Sequence, residues 1–365
     1  GQFGNIIISG DGHVDDLSKP QRPRFELTAQ GPDTDTLTSM LGINDLGTGD
    51  FVLKARGGEV SDRYEAELNG EIGGVSVNIA LAADQLSSLD EIDLDLAADG
   101  PNLGAFMGLF GVHGWPEEPF SLNGKAQRIG GTLDIPDLNL IVGTSKVRLD
   151  ALLTNFPDLD ASRARLFASG NDISKVRQML GIKGVVTGPF ELRGRLDVSP
   201  EQIESVLIEV DTSFGHLTLS GTLGSISGLS GSALQLHMEG NSAHEIMSVF
   251  DIHVLPELPF ILDAGVQVTD NGIILDKGML LMDREERLDL HGFLSFDPGG
   301  IGSDIEVSTR GQDLSSVLHR LFDKTAIPAE PFDVSTRLRL VTEGILLENT
   351  RAEIAGANLA GDGLL

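Results

Sequence analysis

Hydrophobic and polar positions alternate along short segments of the chain. In one segment Phe25, Leu27 and Ala29 are separated by Glu26 and Thr28. Apolar residues at every second position predict a strand with one apolar and one polar face, because successive side chains of a strand point to opposite faces. Four further segments alternate in the same way, at residues 92–96, 164–168, 234–238 and 305–307. The pattern therefore predicts sheets that are wet on one side only.

These strands recur at a nearly constant spacing of about seventy residues. A glycine ends the alternating strand at Gly31, Gly100, Gly170, Gly240 and Gly311. A phenylalanine opens the next strand at Phe51, Phe120, Phe190, Phe260 and Phe332. A small residue is predicted to end another strand at Ala80, Ala151, Gly221, Gly292 and Gly361. We call each of these three sets of recurring residues a column. Because the three columns keep the same spacing, they predict a repeat array.

The array is predicted to contain five repeats. They occupy residues 21–90, 91–161, 162–230, 231–301 and 302–365. Residues 1–20 are predicted to be the last strand of an upstream repeat and a linker. Since the chain opens on Gly1 in the middle of this pattern, we expect it to be part of a longer protein whose N-terminal region carries a membrane anchor or signal.

A short helix is predicted once in each repeat, directly after the column glycine. Residues of the types preferred at a helix N-cap follow two positions after that glycine, at Asp33, Asn102, Asp172, Ser242 and Asp313. Apolar residues then fall on one helical face, for example Leu103, Phe106, Met107 and Phe110. With two more strands after the phenylalanine strand, each repeat is predicted to hold four antiparallel strands and a helix of two to three turns. The fold class is thus mostly β, an elongated repeat array.

About twenty strands that share one apolar face cannot remain flat, because soluble monomers rarely expose more than a few hundred Å² of contiguous apolar surface. We expect the sheet to curl into an open groove with a uniform apolar floor suited to acyl chains. The predicted lining residues are Leu53, Leu122, Leu192, Leu262, Val334, Leu149, Leu219, Leu290 and the five column phenylalanines. In an alternative arrangement the phenylalanines pack beneath the repeat helix as ordinary core.

Composition limits the classes of function. The net charge of −29 excludes a nucleic-acid partner, which requires a basic surface. The absence of cysteine excludes disulfides, thiol catalysis and Cys-ligated zinc. The eight histidines form no closely spaced pair, and the single copy of a calcium-loop-like segment at residues 299–304 is expected to be a turn. We therefore expect no enzyme activity, no metal and no cofactor.

The order of elements resembles the AsmA-like family of Gram-negative bacteria, the group that contains AsmA, TamB, YhdP and YdbH. The clearest copies are GNDISKVRQMLGIKGVVTGPFELRGRLDV at residues 170–198 and GPNLGAFMGLFGVHGWPEEPFSLNGKA at residues 100–126. The resemblance covers essentially the whole chain. It implies a groove-shaped sheet, often called a β-taco, in a periplasmic protein tethered to the inner membrane.

The resemblance also implies a bridge-like lipid transfer protein that carries phospholipids between the inner and the outer membrane during outer-membrane biogenesis. A rival hypothesis is a structural or assembly scaffold that binds an outer-membrane β-barrel partner by strand addition. In the scaffold hypothesis the exposed seam or the final strand edge pairs with the partner, so it predicts tight partner complexes without bound lipid.

Overall fold

The computed structural model describes residues 2–3, 5–13, 24–32, 49–61, 63–84, 91–108, 115–155, 161–174, 187–198, 203–224, 230–244, 257–283, 286–315 and 329–364. These residues belong to two compact units, Gly1–Ile182 (unit 1) and Lys183–Leu365 (unit 2). Each unit contains eleven of the described strands, and almost every regular element is a strand. The prediction of a mostly β fold is confirmed.

Unit 1 is an antiparallel meander in which each strand pairs with the next one along the chain. Its strands are β1 (Gln2–Phe3), β2 (Ile6–His13), β3 (Arg24–Gly31), β4 (Phe51–Val60), β5 (Arg63–Ile72), β6 (Val75–Ala83), β7 (Glu91–Gly100), β8 (Phe120–Ile129), β9 (Thr132–Val142), β10 (Ser145–Leu153) and β11 (Arg163–Gly170).

Unit 2 repeats this topology. Its strands are β12 (Phe190–Val198), β13 (Ile203–Thr212), β14 (Gly215–Leu223), β15 (Ala233–Gly240), β16 (Phe260–Thr269), β17 (Gly272–Met282), β18 (Glu286–Ser295), β19 (Asp304–Gly311), β20 (Phe332–Val341), β21 (Gly344–Ile354) and β22 (Ala357–Leu364). A 3-10 turn at Pro298–Gly300 precedes β19, so the calcium-loop-like segment is a turn between strands, as predicted.

Two of the three sequence columns coincide with strand boundaries. Every column glycine is the last residue of its strand (β3, β7, β11, β15 and β19), and every column phenylalanine is the first residue of the following strand. The third column was predicted wrongly as strand ends. Its residues lie two or three positions inside β6, β10, β14, β18 and β22, because the ladder hydrogen bonds continue past them.

The predicted helix is present in part. Helix α1 (Leu103–Gly108) follows Asn102, whose side-chain Oδ1 accepts a 2.8 Å hydrogen bond from the backbone N–H of Ala105. Helical backbone also begins at Ser174, Ala243 and Leu314. Asp172 caps its segment, because its Oδ1 accepts a hydrogen bond from the Ser174 N–H. The continuations of these segments, the helix predicted after Asp33 and the C-terminal residues such as Phe110 lie outside the described residues.

β-Bulges keep the strands in a constant register. The column phenylalanine pairs with a residue 21 positions later in β4–β5, and with one 22 positions later in β8–β9, β12–β13, β16–β17 and β20–β21. The first ladder is regular, whereas each of the other four contains a bulge. One extra residue would otherwise turn the rest of its strand to the opposite face. The bulges thus keep the apolar residues on one face.

Candidate functional site: an apolar sheet face

In unit 1 the register aligns side chains of consecutive strands into three rows on one face, which we call the unit 1 floor. The first row, next to the phenylalanines, is Ala29, Leu53, Gly70, Val77, Ala98, Leu122, Leu140, Val147 and Ala168. The middle row is Leu27, Ala55, Leu68, Ile79, Leu96, Gly124, Leu138, Leu149 and Leu166. The third row is Phe25, Gly57, Ala66, Leu81, Leu94, Ala126, Ile135, Ala151 and Ala164.

Unit 2 has the same three rows, which form the unit 2 floor. The first row is Leu192, Val210, Leu217, Met238, Leu262, Leu280, Leu288, Thr309, Val334, Ala352 and Leu359. The middle row is Gly194, Ile208, Leu219, Leu236, Ala264, Gly278, Leu290, Val307, Thr336, Thr350 and Gly361. The third row is Leu196, Val206, Gly221, Leu234, Val266, Leu275, Gly292, Ile305, Leu338, Leu347 and Gly363.

The structure places all eight aliphatic residues of the predicted lining on these floors. Five of them lie in a first row: Leu53, Leu122, Leu192, Leu262 and Val334. The other three lie in a middle row: Leu149, Leu219 and Leu290. None of these eight side chains is fully buried. They are therefore available for contact with a ligand on the floor.

The five column phenylalanines close one edge of the floors. All are buried, with at most 6% of their surface exposed. The Phe120 ring lies 5.0 Å from the ring of Phe106 on α1, measured between centroids, and packs in one apolar cluster with Leu103 and Trp115. At Phe120 the structure thus shows the alternative arrangement, in which the ring packs beneath the repeat helix. Whether any of the five contacts a ligand stays a prediction.

The glycine and phenylalanine columns are partners across the strands. Gly31 pairs with Phe51, and the same pairing joins the column residues of β7–β8, β15–β16 and β19–β20. A Cβ atom added to the glycine would lie 2.6–2.8 Å from the phenylalanine ring at all four places. The ring therefore occupies the space that a larger residue would need. The contact between the glycine and the phenylalanine ring therefore accounts for both sequence columns.

The unit 2 floor is not uniform, contrary to the expectation from sequence. Thr309, Thr336 and Thr350 lie on the floor, and the hydroxyls of Thr336 and Thr350 are 2.8 Å apart and hydrogen-bonded. In unit 1 the position that corresponds to Thr336 is Gly124 on β8, and the position that corresponds to Thr350 is Leu138 on β9. Threonine suits a strand because its branched side chain packs like valine. For this reason the alternation in the sequence did not reveal that these floor positions are polar.

The opposite face of each sheet carries the charged residues. In unit 1 Arg63 binds both Asp84 and Asp93, at 2.6 and 2.8 Å, and the hydrogen bonds from Arg63 to Asp93 and Asp84 raise the pKa of Arg63. In unit 2 the two hydrogen bonds that Arg337 donates to Asp304 hold the pKa of that carboxyl below its ordinary value. These pairs are solvent-exposed, so they add little stability. They keep this face wet.

A depression of about 770 Å³ lies on the charged side of unit 2, beside the bulge of β17. Its lining mixes acidic and basic side chains, among them Asp289, Arg287, Glu306 and Arg351. Among the residues that the structure describes, no group of three His, Cys, Asp or Glu side chains is placed to hold a metal ion.

A column of buried serines was missed by the sequence reasoning. Ser162, Ser232 and Ser303 recur with the same spacing as the other columns and are at most 2% exposed. The hydroxyl of each accepts a hydrogen bond from the backbone N–H of the residue eight positions earlier, at 2.9–3.2 Å. The preceding residue has a positive φ in all three turns. These serines form a fourth column with the same spacing as the other three, so the sequence could have revealed them.

The chain was compared with protein-family models, with characterised proteins and with solved structures, and no match was found. Within the described residues, no helix has the length and apolar character required to cross a membrane. The interpretation of the floors therefore depends on their own geometry.

Proposed function

We propose that this protein is a periplasmic, bridge-like lipid transfer protein of the AsmA-like type. Phospholipid acyl chains lie on the apolar floors, while the headgroups remain in water. The observation that supports this proposal most directly is the alignment of apolar side chains into three rows that run across consecutive strands. A catalytic site would concentrate polar groups at one place, whereas a surface for acyl chains must extend over many strands.

The energetics favour acyl chains as the ligand. Each CH₂ group that moves from water onto an apolar surface gains about 0.8 kcal/mol, so a chain covering several strands is bound without any specific contact. Where the rows are continuously apolar, similar contacts at each step also keep the barrier between neighbouring positions low. The opposite, charged face cannot bind acyl chains in this way, because its carboxylates and guanidinium groups would lose their hydration.

The proposal includes the finer architecture expected from sequence. Five repeats of four antiparallel strands and one short helix form a groove of the β-taco kind, and the longer protein is tethered to the inner membrane. Transfer between the inner and the outer membrane serves outer-membrane biogenesis and needs no cofactor. The constant register that the bulges preserve supports this architecture, since it keeps equivalent residues on the floor in each successive set of four strands.

Photo-crosslinking tests the proposal. A photoreactive amino acid at Leu192 or Leu262 faces the floor, whereas one at Glu191 or Ile261, next along the same strand, faces the opposite side. Protein purified from cells and illuminated should give phospholipid adducts, detected by mass spectrometry, at the two floor positions only. Protein adducts at the floor positions would favour the scaffold hypothesis, and equal lipid adducts on both faces would contradict the proposal.

A charge placed on the floor provides a second test. Leu219 and Ser220 are adjacent on β14 and point to opposite faces. Leu219→Asp puts a carboxylate on the path of the acyl chains, where loss of its hydration costs several kcal/mol, while Ser220→Asp places it in water. We expect Leu219→Asp to fail in complementing a deletion strain and Ser220→Asp to complement it, at equal protein levels. Full complementation by both variants would show that lipid does not travel along this face.

A further inference from the structure

Three threonines on adjacent strands are the only hydroxyl side chains in the three rows of the described floors. Thr309 lies in the first row on β19, and Thr336 and Thr350 lie in the middle row on β20 and β21. Every other residue of these rows is alanine, valine, leucine, isoleucine, methionine, phenylalanine or glycine. We call the three threonines the hydroxyl patch.

The hydroxyls do not recur at the equivalent floor positions of the preceding strands, which carry aliphatic side chains, methionine or glycine. The equivalents of Thr309 are Ala29, Ala98, Ala168 and Met238, those of Thr336 are Ala55, Gly124, Gly194 and Ala264, and those of Thr350 are Leu68, Leu138, Ile208 and Gly278. The preference of strands for threonine acts equally at all these positions. It therefore does not explain why the hydroxyls gather on three adjacent strands.

The hydroxyl patch offers two hydrogen-bond donors to a ligand. The hydroxyl oxygens of Thr336 and Thr350 are 2.8 Å apart, so one hydroxyl donates to the other. Because each hydroxyl has a single O–H hydrogen, one hydrogen of this pair is left to donate. Thr309 supplies a second, since Thr309 pairs with Val334 and is therefore the diagonal neighbour of Thr336. All three side chains are partly exposed, so a ligand on the floor can reach them.

The surroundings of the hydroxyl patch favour ester carbonyls as the groups that it binds. Its neighbours across the strands are Val307 and Val334, and the floor continues over Leu288 and Leu290 of β18. A ligand here must therefore present hydrogen-bond acceptors directly beside apolar chains, as the two ester carbonyls of a diacyl glycerolipid do. A phosphate group fits poorly, because the described floor rows contain no lysine or arginine and the phosphate would lose its hydration without gaining a counter-charge.

We infer that the hydroxyl patch binds the ester carbonyls of a diacyl glycerolipid whose acyl chains extend over β18 and β17. The chains extend in this direction because β18 and β17 provide leucines, whereas β22 contributes Gly361 and Gly363 to the floor. This inference rests on the proposed function. It adds one fixed binding position to a floor that otherwise holds acyl chains at no particular place, so lipid dwells longer at β19–β21 than on the unit 1 floor.

Competition between diester and diether phospholipids tests the inference, because a diether lipid has the same chains and headgroup but no carbonyls. A diazirine amino acid at Val334 captures lipid at the hydroxyl patch, and one at Leu122, the equivalent position on β8, captures lipid on the unit 1 floor. Each protein is incubated with vesicles of phosphatidylethanolamine and phosphatidylglycerol, both supplied in equal amounts of the diester and the diether form. After illumination, mass spectrometry gives the ratio of the two kinds of adduct.

We expect diester adducts to exceed diether adducts about fivefold at Val334, as one hydrogen bond would give, and to equal them at Leu122. Replacing Thr309, Thr336 and Thr350 together by valine keeps the side-chain shape, which is nearly neutral for stability, and should return the ratio at Val334 to one. The matched control, Ser308→Val with Ser335→Val, removes hydroxyls from the opposite face of β19 and β20 and should leave the ratio unchanged.

The outcomes separate this inference from the proposed function. Equal diester and diether adducts at Val334, or lipid adducts confined to Leu122, would overturn the hydroxyl patch as a lipid site and leave the proposed function intact. These two results need no valine variant. A diester preference at Val334 that persists in the triple valine variant would also overturn the inference. Absence of lipid adducts at both positions would overturn the proposed function, and the inference with it.

Discussion

Substituting the column glycine of β19 tests whether the glycine and phenylalanine columns form one contact. In Gly311→Ala the new Cβ would lie 2.6 Å from Cε1 and 2.9 Å from Cζ of Phe332, and its three nearest atoms all belong to that ring. Phe332 is 6% exposed and cannot move freely. Overpacking of this kind costs about 1–3 kcal/mol. We therefore expect Gly311→Ala to lower the free energy of unfolding by that amount.

The ring can be removed to isolate its effect. Phe332→Ala alone should cost about 3–5 kcal/mol, as for other buried phenylalanines. In that background Gly311→Ala no longer meets the ring, and alanine in a strand is favoured over glycine by about 0.5–1 kcal/mol. The second substitution should therefore change from destabilising to neutral or stabilising. The coupling energy from the double-mutant cycle is then about 2–4 kcal/mol.

Urea unfolding together with hydrogen exchange of the β19 and β20 amides measures these four proteins. Gly361→Ala serves as the matched control, because a Cβ at Gly361 has no atom within 4 Å. Since Gly361 also lies in a strand, this substitution should leave the free energy of unfolding unchanged or raise it by up to about 1 kcal/mol. If Gly311→Ala costs as much without the Phe332 ring as with it, the ring does not fill the space above the glycine, and the two columns have separate causes.

Three further substitutions test other contacts. Asn102→Ala removes the cap of α1 and should cost about 1 kcal/mol, seen as faster hydrogen exchange in α1 with β4 unaffected. Ser232→Ala leaves the N–H of Gly224 without the hydroxyl acceptor and should cost about 0.5–1.5 kcal/mol in urea unfolding. Ser232→Thr should retain part of that stability. Arg337→Gln removes the cation that lowers the pKa of Asp304. Above about pH 4 the variant should therefore have a lower free energy of unfolding than the original protein, and this difference should diminish as the pH falls further. A difference that grows on acidification would contradict this reasoning.

Much of the fold could be predicted from sequence because the side chains of a strand alternate strictly. The alternation around Leu27 and the columns of Gly31 and Phe51 identified strands β3 and β4 with their shared boundary. The pairing of Gly31 with Phe51 was not predicted, because each column was assigned its own cause. A ring that covers a glycine across two strands is a contact between columns, and it becomes visible only when the register is known.

Features that depend on backbone geometry were not predictable. The bulge of β17 places Lys277 at a φ of 50°, and this backbone conformation was not predicted from the sequence. Leu234 is 7% exposed, whereas Leu94, six residues before its own column glycine as Leu234 is, stays partly exposed, and the alternation is the same around both. The threonines of the last strands were missed for another reason, since threonine fits a strand as well as valine does.

The exclusive pairing of neighbouring strands has a consequence for how the chain folds. Among the described strand pairs, Glu91 of β7 and Ile129 of β8 are the partners most distant in sequence, and they still belong to consecutive strands. Folding rates of all-β proteins are usually limited by contacts between residues distant in sequence, and here no such contact has to form within a ladder. Each hairpin can therefore pair as soon as its second strand has left the ribosome. The chain can extend its sheet at the growing end, without waiting for the other terminus.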